Sequence, residues 1–194
     1  MSRLMRLAAF TVACTAVLVA ACSSSSPRSM TTNAPVGQRV SDKDNELALQ
    51  ILRQATSVAT FRVRGQLTSA EFRRQDDPRF KSLFICGFPI ESRGRSRGRD
   101  FARKIHDFLT DPQNFLPEGT PPSKCIFDPG VAFRLSSGPE TVDIIVCFTC
   151  GELGVESTKG RLRLPTNEFY PGYSRLSALA KEAFPNDKQI LALR

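Results

Sequence analysis

The sequence predicts an α+β fold: one domain with an antiparallel sheet and helices packed on one of its faces, preceded by a leader (residues 1–21) and a tether (residues 22–40). Three observations carry that prediction. Apolar residues alternate with polar ones in several short runs, and turn-forming stretches join neighbouring runs instead of helical crossovers. Apolar residues recur at helical spacing near both ends and in the middle of residues 41–194. That stretch is long enough for one sizeable core, and most of the fourteen Phe supply its large side chains, since Trp is absent.

The first predicted helix starts at Ser41. Asp44 stands three residues on, as in a capping box, and Asp42 adds negative charge at the positive end of the helix dipole. Leu47, Ala48, Ile51, Leu52, Ala55 and Val58 then share one face. Phe61, Val63, Gly65 and Leu67 alternate with Arg62, Arg64 and Gln66, which predicts a half-buried strand with a basic outer face. Residues 69–81 are polar and read as loop. Phe84, Cys86, Phe88 and Ile90 predict a second strand with one apolar face. Residues 93–99, Arg-Gly-Arg-Ser-Arg-Gly-Arg, read as a mobile, solvated loop. Phe101, Ile105, Phe108 and Leu109 mark a helix that Asp111-Pro112 stops.

After a proline-rich crossing, Val131, Phe133 and Leu135 predict a strand, and Ser136-Ser137-Gly138-Pro139 a turn. The nearly continuous apolar run from Val142 to Phe148 predicts a strand covered on both faces. Strand-like pieces follow at Leu153-Val155 and Arg161-Leu164. Leu176, Leu179, Ala180 and Ala183 line a last helix ended by Phe184-Pro185, and residues 188–193 add a turn.

The N-terminus reads as an export signal. Arg3 and Arg6 precede an apolar run to Ala21 that is too short to span a bilayer. Val19-Ala20-Ala21-Cys22 closes it as a lipobox, in which Cys22 takes the diacylglycerol and becomes the first residue after cleavage. Ordinary secretory cleavage, with Cys22 incidental, is the alternative. Ser23-Ser24-Ser25-Ser26-Pro27 opens a tether too polar to order itself. Ser23 in place of Asp after the lipidated Cys implies outer-membrane sorting in a two-membrane host. The formal net charge is +8, two units of it from the leader arginines. In an exported, membrane-held chain such a balance points to anionic lipid or cell-wall polymer and away from nucleic acid.

Cys86, Cys125, Cys147 and Cys150 lie beyond the leader and Cys22. Export makes a disulfide their default. A turn centred near Ser137-Gly138 sets Cys125 roughly opposite Cys150, so a bridge to Cys150 or to Cys147 needs little backbone movement. Three other readings stay open, the plainest being simply buried thiols. Zinc could take Cys125, Cys147 and Cys150, with Cys86, His106 or Asp128 as fourth ligand. Cys147 and Cys150 could form a redox pair, although theirs is a strand end and thioredoxin-like pairs open a helix. Cys86, on an apolar strand face, reads as core.

Lys124-Cys125-Ile126-Phe127-Asp128-Pro129-Gly130-Val131, followed after a hairpin by Val142-Asp143 and Cys147-Phe148-Thr149-Cys150, resembles an uncharacterised family of exported bacterial proteins. The resemblance extends to Phe184-Pro185. It implies a shared hairpin and no catalytic role. Gly130 stands where some members carry His, which counts against a metal site at that position.

Other chemistry finds little footing. His106 is the only histidine, next to a helix's apolar stripe, and no Gly-x-Ser-x-Gly elbow accompanies it. Arg93, Arg95, Arg97 and Arg99 are candidate anion-binding residues. As parts of a solvated loop they are expected to be replaceable without loss of folding. The functional expectation is non-enzymatic binding or scaffolding at the cell envelope, with a cysteine-centred metal or redox role as the alternative.

Overall fold

The computed structural model describes residues 40–121, 124–164 and 166–194. The leader, Cys22 and nearly all of the tether lie outside the described residues. Seven strands form one antiparallel sheet: β1 (Ser57–Val63), β2 (Phe84–Ile85), β3 (Phe88–Arg93), β4 (Arg97–Gly98), β5 (Val131–Ser137), β6 (Glu140–Cys147) and β7 (Glu152–Ser157). Their order is β2-β3-β1-β5-β6-β7, with β4 paired to the start of β1. Helices α1 (Asp42–Gln54), α3 (Arg99–Thr110) and α4 (Tyr173–Ala183) pack on one face. The short α2 (Ser69–Arg74) and α5 (Lys188–Leu191) cap the ends of connections. No helix among the described residues is long and apolar enough to cross a membrane.

The α+β expectation holds, and alternation within the strands explains how the sheet is clothed. Val131, Phe133 and Leu135 of β5 and Val142, Ile144 and Val146 of β6 face the helices and join Ile51, Phe101, Ile105, Phe108, Leu176 and Ala180 in the main core. The intervening Ala132 and Ile145 face the other way, into a smaller core with Phe61, Val63, Ile85 and Phe88. Ile85 of β2 and Ile145 of β6 lie four strands apart in the sheet order yet share that cluster. The sheet therefore curls on itself, helped by a register break between Arg62 and Val63. This double burial is what the nearly continuous apolar run of β6 encodes.

The Ser41 cap of α1 forms as its sequence implies: its Oγ accepts from the Asp44 N–H and donates to the Asp44 carboxylate at 2.8 Å. The structure corrects other expectations. The helix ends at Gln54, and Val58 already belongs to β1, which starts at Ser57. Phe61 and Val63 enter the smaller core, so it is Arg62 that points toward the helices. Residues 69–83 are helical, not loop: Thr68 and Glu71 close a reciprocal capping box for α2, and a 3-10 turn runs from Pro78 to Leu83. The single strand expected across Phe84–Ile90 is a two-residue hairpin. Cys86 and Gly87 both take positive φ, 48° and 81°, the turn geometry that matches sheet twist. Arg161–Leu164 adds no strand; Leu162 and Leu164 pack on the main core from an extended segment.

Candidate functional site

β6 runs out at Cys147, a four-residue turn covers residues 148–151, and β7 begins at Glu152. Within this turn the Cys150 N–H donates to the Cys147 sulfur at 3.3 Å. Phe169 N–H donates to the Gly151 carbonyl at 2.7 Å and braces the turn from outside. Cys150 is joined to Cys125 in a disulfide with Cα atoms 5.6 Å apart. Of the two pairings open to the sequence, this is the Cys125–Cys150 one. Cys147 is a free, fully buried thiol. The bridge ties the segment after Cys125 to the β6–β7 turn, and the Gly130 N–H donates to the Val146 carbonyl at 3.1 Å to complete the attachment.

Beside this cluster lies a groove of about 300 Å³ whose walls include Arg62, Arg64, Glu91, Asp128, Thr149 and Gln189. Arg62 is its fixed element. Its side chain is 15% exposed and spans Asp187 (3.0 Å), the Gly130 carbonyl (2.7 Å) and the Gln189 amide oxygen (2.8 Å). Asp187 is placed by its own task of capping α5. Arg64 pairs with Glu71 at 2.6 Å and with Glu91 at 3.5 Å. Glu71 is held below the usual carboxylate range chiefly by the Thr68 backbone and hydroxyl, and further by Arg64. The groove thus presents both hydrogen-bond donors and acceptors, and its far wall is the stretch that the disulfide fastens.

On the curled face a second polar cluster is partly shielded from water. Arg134 donates to both oxygens of the buried Asp143 carboxylate, at 2.7 and 2.6 Å. The hairpin tip lays the Cys86 thiol 3.9 Å from Asp143 Oδ2. Cys86 is therefore a turn residue over an ion pair and only partly a core residue. Burial pushes its thiol well above the ordinary range, and the neighbouring Glu156 and Asp143 charges push it further. A thiol in that state is protonated and a poor nucleophile. Asp143 is the one charge in the run from Val142 to Phe148, a signal from which this pair could have been read but was not.

Cys125 and Cys150 are committed to their bridge, Cys86 lies on the curled face, and His106 sits on α3 with a ring nitrogen 3.1 Å from Asp107. Asp128 lines the groove. Among the described residues no group of three or more His, Cys, Asp and Glu side chains is placed to hold a metal ion.

The arginine run is not a mobile loop. Arg93 ends β3 with its guanidinium over the Phe61 ring, and Arg97 lies in β4 over Phe101. Arg97 also donates to the Glu182 carbonyl on α4, and the Arg95 N–H to the Ala183 carbonyl at 3.1 Å. Gly94 is required by close approach: a Cβ there would stand 2.4 Å from Thr60 Oγ1 and 2.5 Å from the Phe184 ring. Arg99 opens α3, exposed like the side chain of Arg95. Replacing Arg97 by Gln is expected to lower stability by about 1–2 kcal/mol, through loss of the ring contact and the carbonyl hydrogen bond. Arg95→Gln and Arg99→Gln should each stay within about 0.5 kcal/mol. Urea unfolding of the three variants measures the difference. Equal, negligible effects would return Arg97 to the solvated class.

Comparison with known proteins yields no match: no family model fits the chain, and no curated protein or solved structure is significantly similar to it.

Proposed function

We propose that the chain is an exported protein held on a membrane by lipid at Cys22, with a domain that binds or scaffolds a component of the cell envelope. The observation that carries this reading is Val19-Ala20-Ala21-Cys22 at the end of a basic-then-apolar leader. The Cys125–Cys150 bridge supports it, because disulfides persist in oxidising compartments and are rare in the cytosol. The groove beside the bridge is the favoured binding face. Its arginines are already oriented by fixed partners, so a polar ligand meets preorganised donors. In a two-membrane host Ser23 directs the anchored protein to the outer membrane, facing the periplasm.

The test is Cys22→Ser in the full chain, followed by membrane fractionation and labelling with radioactive palmitate. The expected result is loss of the label and transfer of the protein to the soluble fraction. Membrane association that survives the substitution would remove the lipid anchor from the proposal.

A further inference from the structure

We infer that Cys147, Cys150 and Cys125 form an internal thiol–disulfide relay that can deliver a reactive thiol to the surface at Cys125. The inference stands apart from the anchoring, since it needs only the three sulfurs and their burial. Cys147 is a free thiol enclosed at 0% exposure, beyond the reach of external thiols. Its sulfur lies 3.3 Å from the backbone nitrogen of Cys150, one half of the Cys125–Cys150 bridge. Turn residues hold Cys147 and Cys150 on one side of the hairpin, the spacing at which a Cys-x-x-Cys pair can close.

The exchange balances without any added oxidant or reductant. Cys147 loses its proton as its sulfur attacks Cys150 Sγ. A Cys147–Cys150 bond forms as the Cys150–Cys125 bond breaks, and Cys125 leaves as a thiolate that takes up a proton. One disulfide and one thiol enter, and one disulfide and one thiol remain. The free thiol has moved from the core to an exposed residue beside Ile126, which is itself 87% exposed. That surface thiol would take a disulfide of a small molecule or partner protein, forming a mixed disulfide and releasing the partner's second sulfur as thiol. Release of Cys125 also unfastens the wall of the groove at Asp128, so the relay and the groove are mechanically joined.

The experiment alkylates the purified full chain with iodoacetamide under native conditions at pH 8, then maps label and disulfides by peptide mass. Cys86 acts as the clock for opening of the fold, because its thiol is shielded and kept protonated. The expected result is label on Cys125 together with a Cys147–Cys150 bridge, at least tenfold faster than label on Cys86. Cys147→Ala should abolish the Cys125 label. The inference is overturned if Cys125 and Cys86 are labelled at the same rate, which is scrambling in an opened chain. It is equally overturned if Cys147 takes the label while Cys125–Cys150 stays intact, or if Cys125 is never labelled. Should Cys147→Ala fail to fold, the bridge map of the wild-type protein alone decides between these outcomes.

Discussion

Replacing both Cys125 and Cys150 by alanine is expected to lower the free energy of unfolding by about 3.5 kcal/mol. The bridge spans 25 residues, and the entropy that such a closed loop removes from the unfolded chain sets this magnitude. For a domain of this size the melting temperature should fall by roughly 10 °C. Thermal melts of the double variant and of the wild-type protein with reductant should agree, because both release the same loop. A loss below about 1 kcal/mol would mean that the unfolded chain gains little freedom from the cut. Both cysteines must be replaced together, since a single substitution leaves Cys147 able to pair with the survivor.

Phe133→Ala is expected to cost about 4 kcal/mol, the range for removing a fully buried aromatic side chain. Phe133 is 0% exposed at the middle of β5, and its ring meets that of Phe101 on α3 at 6.1 Å between centroids. No flexible neighbour can collapse into the space, because β1 and β6 flank it on either side and α3 lies over it. Ile126→Ala, at an exposed position, is the matching control and should change stability by less than about 0.5 kcal/mol. Urea titration of both variants reads the contrast. Similar values for the two would contradict the assignment of Phe133 to the main core.

The elements that could be read from sequence are those whose signal is local. The apolar stripes of α1, α3 and α4 repeat at helical spacing whatever lies opposite them. The hairpin between β5 and β6, with explicit turn residues, brought Cys125 near the Cys147–Cys150 end and left two pairings open, of which the structure holds Cys125–Cys150. The hairpin at Cys86 was hidden for a physical reason. The turn shifts the phase of alternation, pairing Ile85 with Phe88 on the inner face, but Phe84 and Ile85 are both buried, so the even-numbered run Phe84, Cys86, Phe88 and Ile90 still read as one strand. Cysteine also replaces the Gly or Asn that such a turn prefers, at a cost of about 1 kcal/mol in backbone strain. Helix α2 has a capping box but no buried residue, so only half of its signal was present.

The candidate site was less legible than the fold because its partners are remote. Arg97 is separated by 85 positions from the Glu182 carbonyl that receives it, and Arg62 by 127 from Gln189. A run of arginines announces charge and nothing about which backbone will neutralise it. The pair of Arg134 and Asp143 was closer to hand, being cross-strand partners on adjacent strands. Its cover, the β2–β3 hairpin, was not.

The contact between Arg62 and α5 also sets an order in time. β1 is made early and stands in the middle of the sheet, yet its Arg62 waits for Asp187 and for Gln189, 127 positions later. The β3–β4 corner waits likewise for α4. Such a chain gains little from folding as it emerges, since its earliest pieces are sealed by its latest. Under the export reading, that delay keeps the residues from β1 to β4 threadable until Glu182, Asp187 and Gln189 have been delivered.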